Sequence, residues 1–127
     1  MKHNNQHELF ARFCPTEPDT LDAWASRILK HRRLSSTARA VAWAVHHRHV
    51  CCGPNPLPIH TELWREIAKG GGIKPTTAGS QRMWNALGDL ELAGFIKQHW
   101  QHKTREDGSQ GKVLTSIEIV FEHGGQQ

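Results

Sequence analysis

Residues 76–96 constrain the fold of this chain more than any other stretch. Met83, Leu87 and Leu90 recur at i, i+4 and i+7 and make one apolar stripe on a helix. Gln81, Arg82 and Asn85 lie off that stripe. Thr76 or Thr77 can cap the helix, because a hydroxyl accepts a bond from an otherwise unpaired backbone N–H. Lys74-Pro75 discourages an earlier start, since proline biases the residue before it away from the helical region. Gly94 ends the helix as a residue that reaches left-handed backbone without a steric penalty. Phe95-Ile96 then opens a strand at once.

A hairpin follows. The arms are read as Phe95 to His102 and Lys112 to Phe121. In the second arm Val113, Thr115, Ile117, Ile119 and Phe121 alternate with Leu114, Ser116, Glu118 and Val120, the period of a strand. The loop between the arms is rich in turn formers, with Asp107-Gly108 as the turn pair. Lys103, Arg105 and Lys112 stand there against Glu106 and Asp107, a slight positive excess.

Upstream, Thr20 to Arg32 reads as a helix capped by Asp19 or Thr20, with Leu21, Trp24, Ile28 and Leu29 on its apolar side. It ends in the basic group Lys30, Arg32 and Arg33. Ser35 or Ser36 opens a second helix to about His49, apolar on nearly every side and therefore expected to be central and buried. A loop by composition follows, and Leu57 to Ile59 reads as a short edge strand that joins the hairpin. Thr61 caps a short helix, Glu62 to Lys69, with Leu63, Trp64 and Ile67 facing in. Gly70-Gly71-Gly72 ends it and reads as a flexible connection to the next helix.

The order is helix, helix, short strand, helix, glycine turn, helix, strand, basic loop, strand. The expected fold is α+β: a winged helix-turn-helix with an extra N-terminal helix and a C-terminal β-hairpin wing. The domain would span residues 19–122, preceded by a flexible arm over 1–18 and followed by a disordered tail over 123–127. Gln81-Arg82, Leu87, Leu90-Glu91 and Gly94-Phe95-Ile96 make the segment Ser80 to Ile96 similar to winged-helix domains of DNA-binding proteins. It resembles in particular the C-terminal winged helix of archaeal origin-recognition initiators. Gly108, Gly111, Ile117 and Ile119 fit the wing and its return strand, and the resemblance covers roughly 36–121. Those initiators carry an ATPase module. Here Gly108 to Lys112 lacks the glycine spacing of a phosphate-binding loop.

The resemblance implies that the helix over 77–93 enters the major groove of double-stranded DNA. Thr76, Thr77, Ser80, Gln81, Arg82 and Asn85 would be its contacts. Their chemistry suits that role, since arginine forks onto guanine, Gln and Asn onto adenine, and hydroxyls onto phosphate. Lys103, Arg105 and Lys112 would hold backbone or minor groove, and Lys74 would neutralise a phosphate. Lys30, Arg32 and Arg33 read either as a phosphate patch or as a solvated helix end that complements the helix dipole. A homodimer would present symmetric half-sites. The implied roles are transcriptional regulation or replication initiation. The rival expectation is a winged-helix adaptor or inhibitor that binds a protein partner, with Trp43 or Trp84 exposed.

The net charge of +4 fits a polyanionic partner without demanding one. No apolar run is long enough to span a bilayer, and the N-terminal residues lack the plan of a signal peptide, so the expectation is a cytoplasmic protein without a membrane partner. Three cysteines cannot all pair and form no disulfide framework. His46, His47, His49, Cys51 and Cys52 crowd together, but adjacent cysteines without a second knuckle do not match a zinc finger. Cys51 or Cys52 beside a histidine is sequence adjacency, not the geometry of nucleophilic catalysis. No enzyme, cofactor or metal is expected. Most of the five tryptophans are expected to fill the core.

Overall fold

The computed structural model of the chain describes residues 16–52 and 54–121. Most of the expected arm, and the tail over 123–127, lie outside the described residues. Within them the chain forms α1 (Pro18–Lys30), α2 (Ser36–Cys52), β1 (Leu57–Pro58), α3 (Thr61–Gly70), α4 (Thr77–Leu92), β2 (Ile96–Thr104) and β3 (Gln110–Ile119). The sheet is antiparallel with order β1-β3-β2. This α+β arrangement is compatible with the expected architecture, and the short strand joins the hairpin's return arm as read. No described helix is long and apolar enough to cross a membrane.

One core collects side chains from every element. Leu21, Trp24 and Ile28 come from α1; Ala38, Val41, Ala42 and Val45 from α2; Leu57 from β1; Leu63 and Ile67 from α3; Met83, Ala86, Leu87 and Leu90 from α4. Ile96, Leu114, Ile117 and Ile119 close it from the sheet. The stripe read on α4 is therefore its buried face.

The helix ends show which local signals were decisive. On α4, Thr76 is the N-cap and its hydroxyl accepts from the Gly79 N–H. At the other end Phe95 N–H reaches Leu90 O and Gly94 N–H reaches Glu91 O, with Gly94 at φ +86. That pair of bonds is a Schellman motif, which turns the chain straight into β2. On α3 the cap is His60, whose Nδ1 accepts from the Leu63 N–H, rather than Thr61. On α1 the cap position is Glu17, without a side-chain cap bond, and Pro18 starts the helix. Asp19 and Thr20 are inside it, and it stops at Lys30. Leu29 is exposed, because i+1 from the buried Ile28 turns it off the apolar face.

Four further expectations need correction. α2 is not buried all round: Trp43 is 38% exposed. The glycine stretch is not chiefly a flexible tether. A Cβ at Gly70 would stand 2.8 Å from Ala44 Cβ, and one at Gly71 would stand 2.8 Å from Val41 Cγ2, so both glycines let α3 end against α2. The alternation of β3 is broken by a bulge opposite His99 and Trp100 of β2. Ser116 opposes His99 and Leu114 opposes Trp100, so Thr115 is the extra residue. It moves Leu114 into the core and leaves Val113 exposed. The Thr115 main-chain oxygen accepts from the Ile59 N–H, and its hydroxyl donates to the His99 carbonyl. Finally, of the five tryptophans only Trp24 is fully buried; Trp64 and Trp100 pack half-buried against the core, and Trp43 and Trp84 are exposed.

The three histidines of the histidine–cysteine cluster take different partners, and the Cys52 side chain lies outside the described ones. His49 is fully buried between the Thr16 hydroxyl (2.9 Å) and the Pro54 carbonyl (3.0 Å). His46 stacks on Trp24, and His47 meets the exposed Cys51 thiol at 3.5 Å. Among the described residues no three His, Cys, Asp or Glu side chains converge on a metal position.

Burial holds the His46 imidazole below its ordinary pKa, the neighbouring His49 and His47 push the same way, and Asp22 opposes them. The folded chain therefore resists a proton that the unfolded chain accepts below about pH 6.5. Stability from this group is fully present above that pH. It falls as acid is added, until the folded imidazole also protonates. Thermal melts from pH 8 down to pH 5 are expected to show a steeper loss for wild type than for His46→Phe. Parallel curves would contradict the assignment.

Candidate nucleic-acid interface

α4 carries its outward face between two flanks. With roughly 100° per residue, positions 82 and 84 lie about 200° apart and bracket Gln81 and Asn85. The Gln81 amide donates to Asn85 Oδ1 at 3.0 Å, so the two present one joined polar surface. No acidic residue stands in the first turn. Asp89, Glu91 and the 90%-exposed Leu92 occupy the second half of the helix. Only the N-terminal half is therefore suited to an anion.

The first flank faces α2. Arg82 donates from Nη2 to the Thr37 hydroxyl at 3.1 Å, which ties the α4 face to the start of α2. Arg32 and Arg33 lie in the connection that leads into Thr37, and Lys30 ends α1. The second flank faces the hairpin. Trp84 packs on Trp64 of α3 and on Trp100 of β2, with centroid separations of 4.7 and 5.4 Å. Glu91 accepts from the Gln98 backbone N–H at 2.9 Å and from its side-chain amide at 3.1 Å, which fixes β2 beside α4.

Lys74, Thr76, Thr77 and Ser80 line one open groove of about 1070 Å³ at the α4 N-terminus. Arg65 and Lys69 of α3 line it too, and among the described residues no carboxylate does. These two cations are functional candidates that sequence reading missed. The signal was present, since they stand at i and i+4 on the solvent side of α3, but only its inward face was read. Gly79 makes this geometry. A Cβ there would lie 1.8 Å from the Lys74 carbonyl oxygen, so α4 can start against the 73–76 loop only with glycine.

On the hairpin, Gly108 N–H bonds Arg105 O and Arg105 N–H bonds Ser109 O, with Gly108 at φ +85. Arg105 folds back: its Nη1 lies 3.3 Å from both Ser109 Oγ and Gln110 O. It holds the turn, whereas Lys103 projects from the arm. Lys112 Nζ sits 4.6 Å above the Trp100 ring. Every side chain proposed from sequence as a contact is exposed: Lys30, Arg32, Arg33, Lys74, Thr76, Thr77, Ser80, Gln81, Arg82, Asn85, Lys103, Arg105 and Lys112. They comprise a polar face on α4, a basic groove at its start, and basic residues at the α1–α2 connection and on the hairpin. The arrangement has donors and cations for phosphate and paired amides for a base edge. No family model, no curated protein and no solved structure matches this chain.

Proposed function

We propose that this chain is a winged helix-turn-helix protein that binds double-stranded DNA, as a transcriptional regulator or a replication-initiation factor. The observation that carries the reading is the α4 N-terminal half. It presents Gln81 and Asn85 outward, has no acid in its first turn, and has cations beside it in the Lys74 groove and at Arg82. Recognition helices read base edges with their N-terminal residues. Here that is also the half free of carboxylates. Lys103 and Lys112 would meet backbone on the hairpin side, and Lys30, Arg32 and Arg33 on the α1 side. Arg105 serves the turn first.

The rival is a protein-binding adaptor, favoured by the exposure of Trp43. It lines a second groove with Ala40, Ala44, His47 and Leu63, between α2 and α3. That groove is separate from the α4 face, so the two readings are separable. Charge reversal at Lys74→Glu with Lys103→Glu is expected to weaken duplex binding at least tenfold at about 0.1 M salt, because two phosphate contacts become repulsions. The melting temperature should stay close to wild type, as both residues are exposed. Trp43→Ser should leave duplex affinity unchanged. Equal duplex affinity for the charge-reversed and wild-type chains would remove the DNA reading.

A further inference from the structure

We propose that Trp64, Trp84 and Trp100 form a stacking platform for unpaired nucleobases, so that the protein holds a single-stranded segment beside the duplex. The inference rests on the nucleic-acid reading of the adjoining α4 face.

The three rings come from three elements, α3, α4 and β2, and make one continuous track, tilted by 43° and 32° from one ring to the next. A cluster that served only as core would bury its middle member best. The reverse holds. Trp84 touches both other rings and is 38% exposed, while Trp64 and Trp100 are half-buried. The rings already touch one another, so a base has its place on the open side of Trp84 rather than between them. Base–aromatic stacking tolerates any sequence, because every base has a π face.

Charge selects a nucleic-acid strand over a peptide. Lys112 Nζ stands 4.6 Å over Trp100 at one end of the track. At the other end Trp64 forms a wall of the groove that holds Arg65, Lys69 and Lys74 and, among the described residues, no carboxylate. Glu91, two turns beyond Trp84 on the same flank, is already bonded to Gln98. Aromatic rings flanked by cations at both ends are the pairing that single-strand binders use, with cations for the backbone and rings for the bases.

The test compares four fluorescently labelled ligands: a blunt duplex, the same duplex with a thymidine overhang, the same duplex with an abasic overhang of equal length, and the free thymidine oligomer. Wild type, Trp84→Leu and Trp84→Phe are titrated with each. The overhang is expected to raise wild-type affinity about tenfold over the blunt duplex, and the abasic overhang to lose most of that gain. Trp84→Leu should lose it too, with blunt-duplex affinity intact, while Trp84→Phe retains part of it. Tryptophan fluorescence should be quenched by the thymidine strand and not by the abasic one. If thymidine and abasic overhangs bind equally, only phosphate is read and the platform is overturned. If blunt and tailed duplexes bind equally, the platform is overturned while duplex binding stands. Binding of the free oligomer without the blunt duplex would retain the platform and remove the duplex reading. Failure to bind all four removes both.

Discussion

Gly79→Ala is expected to cost about 3 kcal/mol, at the upper end of what overpacking typically produces. The reason is space. The added Cβ would meet the Lys74 carbonyl oxygen at 1.8 Å and its carbonyl carbon at 3.0 Å. Both are main-chain atoms, so no side-chain rotation relieves the contact. Either α4 moves away from the core it fills with Met83 and Leu87, or the 73–76 loop gives up the Thr76 cap. The substitution should therefore also lower duplex affinity, since Lys74 and Thr76 move with the loop. Gly88→Ala is the control. It sits on the exposed side of the same helix with nothing within 4 Å of its Cβ position. There alanine should stabilise by about 0.5–1 kcal/mol through helix propensity. Urea denaturation of the two variants should show opposite shifts. Shifts of the same sign would contradict the packing described for α4.

Trp24→Ala is expected to cost about 3–5 kcal/mol, the usual loss for a buried tryptophan. Trp24 is 1% exposed, stacks on His46, and meets Phe95 and Phe121 edge-on. Its Nε1–H donates to the Phe95 carbonyl at 3.1 Å. Truncation opens a cavity and removes one of the two donors to that carbonyl, which keeps the Val120 N–H, so the cavity is the larger part of the loss. The bond spans from α1 to the junction of α4 and β2, so α1 should loosen first. Amide exchange is expected to speed up over 18–30 more than over α4. Trp24→Phe should fall in between, with packing partly kept and the hydrogen bond lost. A cost below about 1 kcal/mol would mean that α1 is not part of the core.

Periodicity made α4 and the hairpin legible, because a stripe at i, i+4, i+7 and a two-residue alternation are properties of one segment. What sequence did not disclose depends on neighbours. The Thr115 bulge, which exchanges Val113 for Leu114 in the core, arises from pairing with His99 and Trp100. Gly70 and Gly71 read as slack in the sequence because the side chains that require them, Ala44 and Val41, belong to another helix. His60 caps α3 through a ring nitrogen, where the nearby Thr61 hydroxyl looked the natural acceptor for the cap. At the candidate interface the exposed polar face of α4 was legible from the helix alone. Arg65 and Lys69 join them only because α3 ends beside the α4 start. The Trp64–Trp84–Trp100 track is a meeting of three elements, and no single segment announces it.

Duplex binding itself is decided by the affinity of the purified chain for a random-sequence duplex across a salt series. Log affinity is expected to fall linearly with log salt, with a slope of about −3 to −5, as four or five neutralised phosphates require. Lys103→Ala combined with Lys112→Ala should make that slope shallower by about one to two. No binding at about 50 mM salt, or an affinity indifferent to salt, would contradict a phosphate-gripping α4 face and hairpin.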